Sequence, residues 1–143
     1  MEYLSKNLED TSKIAADFVK NLKPAAEGAT VIGLYGELGS GKTTFMKFLA
    51  KSLGVEEEIT SPTFVIMKKY ELRNTSYDSL IHIDAYRIEK EEEMLVLGWK
   101  EMISDPQSLI FIEWPEKIEG LLPPHIVVKF EHVGETERKI SIA

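Results

Sequence analysis

The spacing of hydrophobic residues predicts a helix, a strand and a second helix in the first part of the chain. Helical spacing begins after Asp10 or Thr11, either of which can cap the helix, and continues to about Leu22. Residues 29–36, ATVIGLYG, are short, apolar and rich in β-branched side chains, which is typical of a buried strand. Helical spacing returns over residues 42–54, and a glycine ends it.

The remaining residues predict five further strands and one helix. A polar loop separates the first two of these strands, and a glycine-containing turn separates the last two. The predicted elements are a turn at Ser61-Pro62 followed by a strand up to Tyr70, a polar loop at 72–79, a strand at 80–84, a helix at 89–103, a strand at 108–113 that Pro115 stops, and two strands within 125–143 around Gly134-Glu135.

This order of elements predicts one α/β domain over residues 1–143, with a mostly parallel central sheet, flanking helices and a C-terminal β-hairpin. The length of 143 residues and the hydrophobic content of 43% fit a single globular domain. The chain has no cysteine, which excludes disulfides, thiolate metal sites and cysteine nucleophiles. No apolar run approaches the roughly 20 residues of a membrane span, and the N-terminal sequence is too polar for a signal peptide. We therefore expect a cytoplasmic protein that does not enter a membrane.

The net charge changes the expected partners. Seventeen basic and 24 acidic residues give a formal charge of −7, with acidic clusters at 56–58 and 89–93. Because affinity for nucleic acid depends mainly on Lys and Arg contacts to phosphate, we expect no stand-alone nucleic-acid binding. Any nucleic acid would be held mostly by a basic partner, although solvated helix ends also explain the acidic clusters.

Residues 36–44, GELGSGKTT, contain the pattern G-x-x-x-x-G-K-[ST] between the predicted strand and helix. Glycines allow backbone N–H groups to wrap a phosphate, and the helix that follows offers its positive end. Lys42 adds a charge for the β and γ phosphates, and the Thr43 hydroxyl is a hard oxygen ligand for Mg²⁺. The sequence therefore predicts a nucleotide site.

Such a site needs a carboxylate at the end of a neighbouring strand. Glu113 follows the apolar residues 109–112, and we assign it to the Mg²⁺ shell, mostly through water. Asp84 ends a nearly equally apolar strand and is the rival: it either orients the attacking water or is a second metal-shell group. Either carboxylate could also be an ordinary solvated strand end.

Two further residues have two interpretations each. Thr63, with Ser61 in reserve, follows the loop's helix where a nucleotide switch places a hydroxyl, but a turn before an edge strand explains it as well. Trp114 follows Glu113 and either covers the nucleotide or simply packs. For Trp99 we expect a place in the core.

The motifs together closely resemble the TsaE (YjeE) family. The resemblance runs in the same order over nearly the whole chain: GELGSGKTT, SPTF, HIDAYR, an acidic helix with LGW, IEWPEK and an LPP turn. It implies a single-domain P-loop NTPase fold and a bacterial ATPase that uses ATP/ADP and Mg²⁺. It also implies binding to the TsaB and TsaD proteins and support of threonylcarbamoylation of the adenosine beside the anticodon in tRNAs reading ANN codons. Hydrolysis would reset the complex between turnovers, and tRNA would be met only through the complex.

The resemblance also assigns roles by position. Lys42, Asp84 and Glu113 are the implied catalytic residues, and Thr43 and Glu113 the metal residues. Thr11 and Arg138 match residues that approach the nucleotide in the family, although the first could be only a helix cap and the second only a surface hairpin arginine. The implied nucleotide-binding residues are Thr11, Glu37, Leu38, Gly39, Ser40, Gly41, Lys42, Thr43, Thr44, Thr63, Trp114 and Arg138.

Because no arginine lies in an obvious finger loop, we expect slow hydrolysis by the isolated protein and faster hydrolysis with its partners. Two alternatives remain open. A small-molecule kinase would use the same loop but needs an acceptor pocket or lid, for which the chain has little length and only three arginines. A nucleotide-dependent scaffold would bind ATP without needing hydrolysis.

Overall fold

The computed structural model describes residues 1–37, 39–56, 67–73 and 75–143, which form one mixed α/β unit. In chain order the elements are β1 (Glu2–Ser5), α1 (Leu8–Asn21), β2 (Thr30–Tyr35), α2 (Lys42–Ser52), β3 (Met67–Glu71), β4 (Ser79–Asp84), α3 (Glu92–Val96), α4 (Trp99–Ile103), β5 (Ser108–Glu113), a 3₁₀ helix (Pro115–Leu121), β6 (Ile126–His132) and β7 (Arg138–Ile142).

The strands form one seven-stranded sheet in the order β1-β7-β6-β2-β5-β4-β3. The four central strands, β6, β2, β5 and β4, run parallel, whereas β3, β7 and β1 are antiparallel to their neighbours at the two edges. The predicted parallel centre and C-terminal hairpin are thus both observed. The carboxyl ends of β2, β4 and β5 meet at one edge, which is where ligands bind in open parallel sheets.

Two hydrophobic layers enclose the sheet. Helices α1 and α2 cover one face, and their core is centred on Ile32, Phe45 and Phe111. The short helices after β4 cover the other face together with the 3₁₀ helix, and that core includes Trp99, which is 1% exposed. Because both faces of β2 and β5 are buried, these strands are nearly continuous apolar runs, which explains why their sequences predicted them.

Helix α1 begins earlier than its apolar spacing predicted. Its N-cap is Asn7, whose side-chain oxygen accepts a hydrogen bond from the Asp10 backbone N–H at 2.9 Å. The Asp10 carboxylate in turn accepts from the Lys6 N–H at 3.0 Å. The prediction that Asp10 or Thr11 caps the helix is therefore wrong, since both residues lie inside the first turns.

Two other elements differ from the prediction. The helix expected over 89–103 is two short helices, because Gly98 adopts φ 88°, a left-handed conformation that interrupts helical hydrogen bonding. Strand β1 was not predicted, since EYLS is short, only Ser5 in it is buried, and the strand pairs with β7, which is distant in the sequence. The turn at Ser61-Pro62 lies outside the described residues. Within the described part of the chain, no helix has the length and apolar character needed to cross a membrane.

Candidate nucleotide site

The glycine-rich loop joins the end of β2 to the start of α2 and has a backbone that requires glycine. Gly36, Gly39 and Gly41 have φ values of 150°, 75° and 106°, which L side chains rarely adopt. A Cβ atom at Gly36 would lie 2.7 Å from Ser40 Oγ and 2.9 Å from the Phe130 carbonyl oxygen. The loop therefore keeps its shape only with glycine at its first position.

Lys42 lies at the first position of α2 and folds back over the loop. Its ammonium Nζ donates to the Gly36 carbonyl at 2.6 Å and lies 3.5 Å from the centre of the Trp114 ring. Burial lowers the pKa of Lys42, and the nearby carboxylates of Glu113, Glu116 and Asp84 oppose this only in part. The lysine charge is thus placed at the loop by two contacts, one of them a cation–π contact.

Trp114 has the only positive φ among the described non-glycine residues, at 61°. This left-handed conformation is unfavourable for an L residue, and it directly follows the carboxylate strand β5. The Trp114 ring is also 5.2 Å from that of Tyr86, which follows β4. Trp114 therefore packs between Lys42 and Tyr86, as expected if it serves as a packing residue. These contacts also keep its ring beside the loop.

A hydrogen-bonded chain crosses the site from α2 to β4. The Thr43 hydroxyl donates to Glu113 Oε1 at 2.8 Å, and His82 Nε2 lies 2.8 Å from Glu113 Oε2. Glu113 is 3% exposed and His82 is completely buried. Burial raises the pKa of Glu113, but the hydrogen bond and charge of His82, the Thr43 bond and the Lys42 charge together hold it below its ordinary value. Glu113 is therefore a fixed carboxylate.

Asp84 is the second carboxylate at this edge. It is paired in register with Glu113 across the parallel strands β4 and β5, and its Oδ1 accepts from the Tyr86 N–H at 3.0 Å. Burial raises the pKa of Asp84; the Tyr86 bond lowers it, and the neighbouring Glu113 charge raises it further, so that the net direction is upward. Asp84 is half-buried.

The oxygen atoms at this edge fit a magnesium ion bound together with a nucleotide. Thr43 and Glu113 supply a hydroxyl and a carboxylate 2.8 Å apart, which are hard ligands of the kind that Mg²⁺ prefers. No group of three or more His, Asp or Glu side chains able to hold a metal exists among the described residues. The pair therefore suits an ion that keeps water and phosphate ligands, rather than a closed protein cage.

A cavity of about 530 Å³ opens beside the loop, between the start of α1 and the β6–β7 hairpin. The Thr11 hydroxyl, which lines the cavity, lies 2.6 Å from Ser5 Oγ. The structure brings together here residues predicted to bind nucleotide that lie far apart in the sequence. They are Thr11, Ser40, Gly41, Thr44 and Arg138.

Arg138 connects the hairpin to the glycine-rich loop. Its guanidinium donates to the carbonyls of Gly134, Glu135 and Glu137 at 2.9–3.3 Å. A longer contact of 3.5 Å reaches the Gly39 carbonyl. Arg138 thus closes the turn of its own hairpin, which fits the interpretation as a hairpin arginine, and it also borders the cavity.

Two predicted residues, Leu38 and Thr63, lie outside the described residues, and Glu37 and Gly39 are exposed on the loop.

The sequence interpretation missed His82. The signal for it was present, because His82 precedes Asp84 by two positions in a buried strand and so shares its face of the sheet.

Comparisons with known proteins identify the family of the chain. The family model for the threonylcarbamoyl adenosine biosynthesis protein TsaE matches residues 5–140. Proteins named tRNA threonylcarbamoyladenosine biosynthesis protein TsaE are 36% identical in Aquifex aeolicus, over 99% of this chain and 94% of that protein, and 34% identical in Treponema pallidum, over the full length of both. The crystal structure of Bacillus subtilis YdiB superposes with a TM-score of 0.74 and 31% identity, over 99% of this chain and 83% of that one.

A family match over most of the length, relatives above 30% identity and a shared P-loop NTPase fold all point to the same group of proteins. The chain belongs to the TsaE family of threonylcarbamoyl adenosine biosynthesis proteins.

Proposed function

We propose that the protein is a Mg²⁺-dependent ATPase that acts in tRNA threonylcarbamoyladenosine biosynthesis. The observation that carries the proposal is the hydrogen bond of 2.8 Å from the Thr43 hydroxyl to the Glu113 carboxylate. Thr43 lies in the first turn of α2, directly after the glycine-rich loop. A P-loop threonine paired with a strand-end carboxylate is the arrangement that holds a nucleotide-bound magnesium ion. That ion would neutralise charge on the phosphates.

The nucleotide would extend from the loop into the adjoining cavity. Backbone N–H groups of the glycine-rich loop and the Lys42 ammonium would hold the phosphates. Binding would draw Lys42 from the Gly36 carbonyl, where it now lies at 2.6 Å, towards phosphate oxygens. The cavity with Thr11 and Arg138 would take the nucleoside, since its volume of about 530 Å³ suits a small ligand.

Hydrolysis requires a water molecule oriented in line with the terminal phosphate. Asp84 suits that role because it lies beside Glu113 at the same sheet edge and is half-buried. Glu113, rather than Asp84, would then supply the carboxylate oxygen to the metal. A carboxylate whose pKa is raised is also a better proton acceptor than an ordinary one. Asp84 is therefore the proposed water-orienting residue.

The proposed partners are TsaB and TsaD, with tRNA reached only through their complex. The net charge of −7 suits a basic protein surface, and the acidic cluster at 89–93 joins Glu116 and Glu119 around a shallow cavity of about 850 Å³. Arg138 is committed to carbonyl contacts in its own hairpin. A partner that adds a cation or orders the site would then accelerate hydrolysis.

Phosphate release by the purified protein tests the nucleotide site itself. We expect slow release from ATP with Mg²⁺ and none in EDTA, and we expect Lys42→Ala to abolish it. Lys47→Ala, an exposed lysine of the same helix, is the matched control and should behave as the wild type. Unchanged release by Lys42→Ala would contradict the proposal.

A second variant separates an ATPase from a scaffold that only binds nucleotide. Glu113→Ala removes the carboxylate that contacts Thr43 but leaves the loop and the cavity in place. We expect this variant to bind ADP and to fail to support the tRNA modification in a reaction reconstituted with TsaB and TsaD. Full modification by Glu113→Ala would favour the scaffold.

A further inference from the structure

His82 is a completely buried polar side chain that the phosphate-loop motif does not include. It lies on the central strand β4, and its Nε2 is 2.8 Å from Glu113 Oε2. The other carboxylate oxygen, Oε1, accepts the bond from Thr43. Glu113 is therefore held from both sides, by the threonine of the metal site and by the histidine.

The direction of the histidine bond follows from the chemistry of its partner. An ionised carboxylate only accepts hydrogen bonds, so Nε2 of His82 carries the shared proton. The second ring nitrogen, Nδ1, is buried and has no hydrogen-bond partner among the described residues. An apolar side chain would fill this space without leaving an unpaired nitrogen. The contact with Glu113 is thus what a histidine adds at this position.

We propose that His82 is a positioning residue that fixes the rotation of the Glu113 carboxylate, so that Oε1 stays with the Thr43 hydroxyl, the pair that would hold the nucleotide-bound magnesium ion. This inference rests on the proposed function. A glutamate carboxylate rotates freely about its last bond, and two hydrogen bonds from opposite sides remove that freedom. Partners that orient a metal-binding carboxylate in this way commonly contribute about 10- to 100-fold to metal affinity.

Two amide substitutions test the position of the donor. His82→Gln places an amide N–H₂ where Nε2 lies, whereas His82→Asn places it where Nδ1 lies, out of reach of Glu113. Calorimetry of ADP binding in Mg²⁺ and in EDTA gives the gain in affinity due to the metal. We expect His82→Asn to reduce that gain about tenfold or more and His82→Gln to keep it within about threefold. ADP affinity in EDTA should be the same in all three proteins.

The outcomes separate this inference from the function on which it rests. If the wild type gains affinity from Mg²⁺ and His82→Asn gains as much, His82 does not position the carboxylate. An equal loss in both variants would also overturn the inference, because it would show dependence on ring shape rather than on the donor. If the wild type gains nothing from Mg²⁺, the proposed metal site fails and this inference fails with it.

A measurement on the wild type covers the case in which His82→Asn does not fold. In protein labelled with ¹⁵N-histidine, the His82 Nε2 proton should be visible and protected from exchange, because it is buried and hydrogen-bonded. Its resonance should shift more on adding ADP with Mg²⁺ than on adding ADP in EDTA. A resonance that shifts equally in both would show that Glu113 and His82 do not respond to the metal.

Discussion

At the scale of single residues, the site contains two carboxylates with opposite electrostatic surroundings. Glu113 accepts bonds from Thr43 and His82, which hold its pKa below the ordinary value against the effect of burial. Asp84 is paired with it in register and accepts a bond from the Tyr86 backbone N–H, and burial raises its pKa. The same sheet edge therefore stabilises one charge and disfavours the other.

These opposite shifts predict opposite effects on stability in metal-free buffer. The ionised Glu113 stabilises the folded state above the ordinary glutamate pKa, so Glu113→Gln should be less stable than the wild type at neutral pH. That deficit should shrink as pH falls through the lowered pKa. Asp84 is disfavoured in its ionised form, so Asp84→Asn should be more stable than the wild type at neutral pH. That advantage should vanish below the ordinary aspartate range, where both states are protonated.

Urea unfolding at several pH values with EDTA and constant ionic strength measures both differences. We also expect Asp84→Asn to hydrolyse ATP about 100-fold more slowly or worse, because it loses the water-orienting carboxylate. Glu101→Gln, on the exposed side of α4, is the control and should change stability little. An Asp84→Asn protein that is less stable than the wild type at neutral pH would contradict this description of the site.

At the scale of elements, the glycine-rich loop is shaped by the hairpin as well as by its own sequence. A Cβ at Gly36 would meet the backbone carbonyl of Phe130 in β6, which cannot move without disturbing the sheet. We therefore expect Gly36→Ala to destabilise the protein by about 1 kcal/mol or more and to abolish ADP binding. Gly134→Ala in the exposed hairpin turn, where a Cβ meets nothing closer than 3.7 Å, is the control and should stay within about 0.5 kcal/mol of the wild type. Calorimetric melting measures the change in stability, and ADP titration measures the loss of binding. Normal ADP binding by Gly36→Ala would be inconsistent with a loop held against β6.

The elements that the sequence predicted correctly are those in which local pattern and tertiary burial agree. Strands β2 and β5 are buried on both faces, and their apolar runs are unambiguous. The 89–103 segment keeps helical spacing through Gly98, so only the backbone reveals the break. The cap at Asn7 was missed because the apolar stripe begins several residues later, and β1 depends on pairing with β7, which local sequence does not encode.

The same reasoning applies to the candidate site. The pairing of Thr43 with Glu113 could be predicted, because a loop motif and a strand end at the same edge of a parallel sheet must lie close together. The approach of Thr11 and Arg138 to one cavity could not be worked out from spacing and came from the family resemblance. His82 was missed although it shares a sheet face with Asp84, because that spacing does not show that the Glu113 carboxylate is its hydrogen-bond partner.

At the scale of the whole molecule, the charge and the construction of the site favour action within an assembly. The chain carries 24 acidic and 17 basic residues. The acidic cluster at 89–93 meets Glu116 and Glu119 in space, on the face opposite α1 and α2. Lys90 and Lys117 line the same cavity, and the glutamates outnumber them, so the surface is net negative. Such a surface disfavours direct contact with tRNA and suits a basic protein. The arrangement predicts an ATPase that is slow alone and accelerated by its partners.

Phosphate release from Mg-ATP, measured with and without a purified TsaB–TsaD pair, tests the central claim most directly. Lys42→Ala, which lacks the ammonium held at Gly36, is the blank. We predict that the pair stimulates release by the wild type and that the stimulation vanishes in the variant. A rate that is the same with and without the pair would contradict the claim that this nucleotide site works as a partner-gated ATPase.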